Sequence, residues 1–198
     1  MLGLDGHGEA KQMANDKTAL VVFAPGTEKI EVSIIVDVLR RGGVKVTLAG
    51  LAGSAAVACS RGLRIVPDVA LGDVAGSFDA VVLPGGAQGA ENLANSPLVG
   101  RHLKNQWLRG RVVAAVCAAP IALLRHEIGL GSTITCHPSV AEGLQNAYTL
   151  STERVVESGL LLTSQGPGTC FEFALALIRR LRGADAERQV RGPLILPV

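Results

Sequence analysis

The chain has 198 residues, enough for one domain of ordinary size with its own core and too few for two. Hydrophobic residues make up 48% and charged residues 18%, a balance that excludes disorder as the main state. There are 19 lysines and arginines against 17 acidic residues, and the aromatics are four Phe, one Trp and one Tyr, so neither a basic footprint nor a stacking surface for nucleic acid is present.

Residues 1–17 are polar, lack an apolar secretion segment and contain acidic residues that argue against a transit peptide. They are expected to form a flexible extension ahead of a single domain over residues 18–198. Residues 18–24 (TALVVFA) predict a strand, Pro25-Gly26 a turn, and residues 28–41 a helix ending at Gly42-Gly43. The most apolar part of that helix, residues 30–39, is interrupted by Glu31, Ser33 and Asp37, so no membrane-spanning segment is expected. Residues 44–49 predict a second strand, 63–68 a small edge strand, and 79–83 a buried strand ending at Pro84-Gly85-Gly86.

Residues 96–109 read as a helix with Pro97 in its first turn, and residues 111–116 as a fourth buried strand, followed by Cys117 and a short apolar helix. Three short strands are expected over 133–136, 154–157 and 160–163, before Gly166-Pro167-Gly168 opens a long helix over 169–181. Continuous apolar strands alternating with helices imply an α/β sandwich around a mostly parallel sheet. In such folds sites lie outside the carboxyl ends of the strands.

Cys117 lies at such an end, between a hydrophobic strand and a helix, with Ala115, Ala118 and Ala119 as small neighbours. This is the layout of a nucleophile elbow. The start of the next helix is expected to lower the thiol pKa. The alternative is a small buried core cysteine. Glu31 shares one helical stripe with Ile34, Ile35, Val38 and Leu39, which puts a carboxyl on the face that packs on the sheet. Burial there favours its protonated form, which can donate to a thiolate; a partly solvated Glu near the helix start is the competing reading.

His137 follows a predicted strand and is expected near the same sheet edge, whereas His7, His102 and His126 read as solvated. Gly85-Gly86 permit close backbone approach to a ligand and can offer an N–H to an oxyanion. The four cysteines, Cys59, Cys117, Cys136 and Cys170, have neither metal-ligand nor disulfide-framework spacing, so reduced thiols in an intracellular compartment are expected, and no metal or cofactor is implied.

The strings ALVVFAPGTEKIE, VDVLRRGGVKVTLAGLAG, CSRGLRIVPD, VVLPGGAQGAENL, AAVCAAPIALLRHEIG, TCHPS and GPGTCFEFAL run in order from Ala19 onward. Together they closely resemble the ThiJ/PfpI superfamily, in its parkinsonism-associated deglycase branch. The resemblance implies a flavodoxin-like three-layer sandwich with a C-terminal helix extension over residues 184–198, forming a homodimer. It assigns Cys117 as oxidation-prone nucleophile, Glu31 as its protonated partner, and His137 nearby. It also assigns Gly86 and Ala118 as oxyanion-hole amides, Arg41 and Arg61, with Gly85, near the site or dimer interface, and Cys59 as a peripheral modifiable thiol.

The implied activity is cofactor-free conversion of methylglyoxal and glyoxal to lactate and glycolate, extending to early glycation adducts, in oxidative-stress protection. The alternative is a redox sensor with stress-response partners, in which Cys117 is oxidised to sulfinate. The implied compartments are the cytoplasm first, then nucleus and mitochondrion. Two departures stand out: Gln165 where the family commonly has Arg before Gly-Pro-Gly-Thr, and additional thiols at Cys136 and Cys170.

Overall fold

A computed structural model describes residues 16–197. The extension expected over residues 1–17 lies outside the described residues except for Asp16 and Lys17. The chain runs β1 (Thr18–Phe23), α1 (Lys29–Arg41), β2 (Lys45–Gly50), a hairpin of β3 (Val57–Ala58) and β4 (Arg64–Ile65), β5 (Val69–Ala70) and β6 (Ala80–Leu83). It continues through α2 (Ala87–Ala94), α3 (Pro97–Leu108), β7 (Val112–Val116), α4 (Pro120–Arg125), β8 (Thr133–Ile134), α5 (Ala141–Leu144) and β9 (Thr149–Leu150). The last elements are β10 (Val155–Ser158), β11 (Leu161–Ser164), α6 (Cys170–Arg182) and α7 (Ala184–Arg191).

The central sheet has the order β10-β11-β7-β6-β1-β2-β5, parallel throughout except for β10 at one edge. Side chains of β1 alternate between two cores. Ala19, Val21 and Phe23 pack with Ile35, Leu39, Phe173 and Leu177 of α1 and α6 on one face. Leu20 and Val22 pack with Leu103 and Leu123 of α3 and α4 on the other. The central strands β1, β6 and β7 are therefore apolar on both sides, the reason their sequences read as continuous hydrophobic runs. The result is the three-layer, flavodoxin-like sandwich that the sequence implied, with α6 and α7 forming the C-terminal helical part.

Strand order reverses between β1 and β6, which opens a crevice at their carboxyl ends. The turn after β1, the Pro84-Gly85-Gly86 turn after β6 and the elbow after β7 converge there. Helix α1 starts at this edge because Glu28, in extended conformation, caps it by accepting the Ile30 N–H.

Several expectations change. His126, read as solvated, is buried with Nε2 3.2 Å from Leu93 O, and the strand expected at 133–136 is Thr133–Ile134, paired with Thr149–Leu150 outside the central sheet. The edge strand predicted over 63–68 is not in the sheet: Arg64–Ile65 pairs with Val57–Ala58, and the sheet edge is Val69–Ala70. Helix α2 is absent from the sequence-based expectation, because its sequence AQGAENLA carries few large apolar residues and a glycine. Gly89 is what lets it dock, since a Cβ there would lie 2.6 Å from Thr27 Cα.

Candidate functional site

Cys117 follows β7 with φ of 63°, a left-handed conformation that costs a non-glycine residue about 1–3 kcal/mol. The surroundings over-determine it. Its N–H donates to Ser164 O at 2.9 Å, its carbonyl accepts the His137 N–H at 2.8 Å, and Ala119 N–H closes the turn on Val116 O at 3.0 Å. Gly85 leaves the room: a Cβ there would sit 2.6 Å from Cys117 Cβ and 2.8 Å from Val116 O. The backbone N–H groups of Gly86 and Ala118 face the sulfur.

Glu31, on the first turn of α1, is 0% exposed. Its Oε2 accepts the Gly85 N–H at 2.6 Å, and the carboxyl lies within hydrogen-bond reach of the Cys117 thiol. Oε1 is buried without a hydrogen-bond partner, a state a carboxylate tolerates poorly and a carboxylic acid relieves by offering its proton. Burial raises the Glu31 pKa to about 7, although the Gly85 and Cys117 hydrogen bonds act the other way.

The lowered Cys117 pKa expected from a helix start is not what the fold produces. Instead burial, then the Glu31 carboxylate, push the thiol up to about 12, opposed by the Gly86 and Ala118 amides. Helix α4 begins only at Pro120 and runs for six residues, so its dipole is weak and displaced from the sulfur. The acid and the thiol thus titrate as a pair, and a thiolate forms readily only while Glu31 holds the proton.

The other predicted residues divide by location. His137 is tied to the elbow through its backbone, but its exposed ring turns Nδ1 to Ser139, with Oγ at 2.8 Å. Arg61, with φ of 56° and a side chain 78% exposed, stands 3.5 Å from Glu28 at the rim of the crevice. Arg41 lies at the opposite end of α1 from Glu31, ten residues or about 15 Å along the axis. There it pairs with Asp37 at 2.6 Å and borders a cavity of about 430 Å³ with Arg182 and Val190, so in this chain it is not part of the crevice. Gly85 spends its N–H on Glu31 and its carbonyl on the Glu28 N–H, leaving no polar group for a ligand; it shapes the site instead.

Among the thiols, Cys59 is buried beside β3, and burial with the Glu28 carboxylate pushes its pKa up. Burial also pushes up Cys136. Cys170 is fully enclosed, its Sγ 3.5 Å from Gly166 O, and is pushed up by burial and then by the charges of Glu31, Cys117 and Glu28. Gln165, where the resemblance leads one to expect Arg, donates from Nε2 to Thr152 O at 2.8 Å.

Glu28 belongs to the site although no sequence expectation placed it there. It is 8% exposed and collects Lys29 Nζ at 3.0 Å and Ser60 Oγ at 2.8 Å. Burial raises its pKa, but these bonds and the Ile30 N–H outweigh it and hold the carboxyl ionised. Its negative charge in turn helps raise Glu31. The signal that could have found it is an acidic residue at a helix-capping position three residues ahead of Glu31.

The chain matches the DJ-1/PfpI family over residues 17–180. It is 49% identical over 184 residues to the Parkinson disease protein 7 homolog of Danio rerio, covering 91% of this chain and 97% of that protein. It is 42% identical over 187 residues to a Caenorhabditis elegans protein named glutathione-independent glyoxalase DJR-1.2, covering 93% and 99%. Among solved structures, Drosophila melanogaster DJ-1beta superposes with a TM-score of 0.91 at 45% identity, over 92% of this chain and all 100% of the other. Oxidized DJ-1 of Toxoplasma gondii superposes with a TM-score of 0.87 at 30% identity, over 92% and 100%. With its sheet order, its strained cysteine elbow and a match spanning nearly the whole described chain, the protein belongs to the DJ-1/PfpI family.

Proposed function

We propose that the protein is a cofactor-free, cysteine-dependent glyoxalase. The observation that carries this reading is the enclosed Glu31 carboxyl within reach of the Cys117 thiol, opposite two amides that face the same sulfur. Cys117 thiolate adds to the aldehyde carbon of methylglyoxal, forming a C–S bond and an alkoxide beside the Gly86 and Ala118 amides. Glu31 gives its proton to the alkoxide, then as carboxylate removes the hydrogen of that carbon to give an enediol, and returns it to the neighbouring carbon while the hydroxyl proton of the first carbon passes to the oxygen of the second. The product is a lactoyl thioester. Water hydrolyses it to lactate and frees the thiol, so methylglyoxal plus water balances lactic acid; glyoxal gives glycolate in the same way.

A carboxyl with a pKa of about 7 suits this double role, since it must be acid in one step and base in the next. His137, on the exposed side of the elbow, orients substrate or water. The same chemistry reaches early adducts on protein side chains, the deglycase reading. The name of the nematode relative, a glutathione-independent glyoxalase, supports the reaction class. The test is lactate formation from methylglyoxal without glutathione, with product chirality read and buffer background subtracted. Racemic lactate at the background rate ends the proposal.

A second reading rests on the unpartnered Glu31 Oε1 and on the oxidized state of the Toxoplasma relative. A sulfinate on Cys117 would accept hydrogen bonds from the protonated Glu31 oxygen and from the Gly86 and Ala118 N–H groups. Peroxide titration followed by peptide mass is then expected to place two added oxygens on Cys117, with Cys170 unmodified because it is enclosed and its thiol is pushed up. Oxidation spread evenly over the thiols would contradict it.

Association into a homodimer is part of the same proposal. Ile30, Leu63 and Val66 are 45%, 52% and 66% exposed, and the Ser60 bonds to Thr27 and Glu28 hold the hairpin carrying the last two against the start of α1. Such an apolar face beside the crevice suits a second copy of this chain. Sedimentation at micromolar concentration is expected to give twice the chain mass, and Val66→Glu to give the monomer.

A further inference from the structure

One support of the strained Cys117 backbone is a carbonyl at the end of β11, and that carbonyl belongs to a residue whose side chain is part of a buried hydroxyl pair. Ser164 is 0% exposed and Thr169 is 5% exposed, and their hydroxyl oxygens are 2.6 Å apart. Ser164 Oγ lies 2.7 Å from Arg154 O, an acceptor only, so its single proton goes there. Thr169 must then donate, and the shorter of its two options is Ser164 Oγ at 2.6 Å rather than Gly166 O at 3.0 Å. Its lone pairs accept the Gln165 and Gly166 N–H groups at 3.2 and 3.1 Å. Every polar atom of the pair is thus spent, with a definite direction from Thr169 to Ser164 to Arg154 O.

This pair anchors the residue that supports one side of the elbow. Ser164 O takes the Cys117 N–H at 2.9 Å. The Cys117 carbonyl is held separately, by the His137 N–H at 2.8 Å. The Cys117 N–H therefore reaches the hydroxyl pair through Ser164. Without it the left-handed φ would relax, since nothing in the intrinsic preference of cysteine favours it. Relaxation moves the sulfur off the Gly86 and Ala118 amides.

We infer that Thr169 and Ser164 are positioning residues for the reactive thiol, holding the Cys117 sulfur against its two amides through the end of β11. The inference rests on the reading that Cys117 is the reacting group, but it can be tested without any dicarbonyl.

The experiment is the rate of Cys117 alkylation by iodoacetamide against pH, followed by peptide mass, in wild type, Thr169→Val, Ser164→Ala, the double variant and Thr169→Ser. Loss of the amide contacts raises the apparent pKa. Both single variants are expected to shift the profile upward by about one pH unit, which is about tenfold slower alkylation at a fixed pH below it. The double variant is expected to match the singles, because either change breaks one chain, and Thr169→Ser to restore the wild-type profile. A merely structural role would lower the melting temperature and leave the profile in place. If Thr169→Val fails to fold, Ser164→Ala carries the test alone, since it strands no backbone N–H. Wild-type profiles in folded Ser164→Ala or Thr169→Val overturn the inference. A wild-type Cys117 that reacts no faster than the buried thiols overturns the nucleophile reading instead.

Discussion

Cys117→Ala is expected to reduce lactate formation from methylglyoxal to the buffer rate, a loss of roughly 10³-fold or more. The reason is that the covalent bond to the aldehyde carbon has no substitute in the crevice. Cys170, the nearest electrostatic neighbour among the thiols, is fully enclosed, and the Glu31 carboxyl and the Gly86 and Ala118 amides are set against Cys117, not against Cys136. Removing Sγ also leaves Glu31 without the group it serves. The fold should survive, because alanine fits the elbow and the backbone bonds to Ser164 and His137 do not involve the side chain. Steady-state lactate with chirality read, on protein shown folded by circular dichroism, decides it. A variant that retains wild-type turnover would show that Cys117 is not the nucleophile.

The second large effect falls on Glu31. Glu31→Gln keeps the shape of the side chain and its acceptor for the Gly85 N–H, but cannot shuttle a proton. Turnover is expected to fall by about 10²–10⁴-fold, the usual range for losing a positioned acid or base. Substrate affinity should change far less.

Stability moves in the opposite direction. The Glu31 pKa rises from 4.5 in the unfolded chain to about 7 in the folded protein, so the folded state holds the extra proton. The stability this contributes is fully present below pH 4.5 and is lost as pH rises to about 7, a swing of up to about 3 kcal/mol. Glu31→Gln is expected to flatten that decline and to melt above the wild type at pH 8. A decline equally steep in both proteins would mean that Glu31 is ionised throughout. Gain of stability with loss of rate in one substitution is what a carboxyl kept for chemistry rather than for packing should show.

Both residues are legible in the amino-acid sequence. The small residues around Cys117 and the carboxyl on an apolar helical stripe are anomalies of pattern, and pattern is what a sequence displays. The resemblance in seven ordered strings supplies the pairing of the two, which spacing alone does not give. Other features are hidden for identifiable reasons. Glu28 looks like an ordinary helix-capping acid, because its hydrogen bond from Ser60 crosses 32 positions of chain. Arg41 carries a family assignment near the site or the dimer interface, and the fold holds it at the far end of α1 from Glu31.

The linear order of residues by itself determined the layer architecture, because strands buried on both faces must be continuously apolar, and it determined which cysteine ends a buried strand. Only the tertiary structure decided which partner each short segment takes: Arg64–Ile65 chose Val57–Ala58 over the sheet, since a two-residue strand gains little from propensity and is settled by its neighbours. The sign of the Cys117 pKa shift was likewise a tertiary matter. A helix start can be read from sequence, but the depth of burial and the closeness of a carboxyl from a residue 86 positions away depend on how α1 docks against β7, and in a low-dielectric crevice those two effects outweigh a short helix dipole.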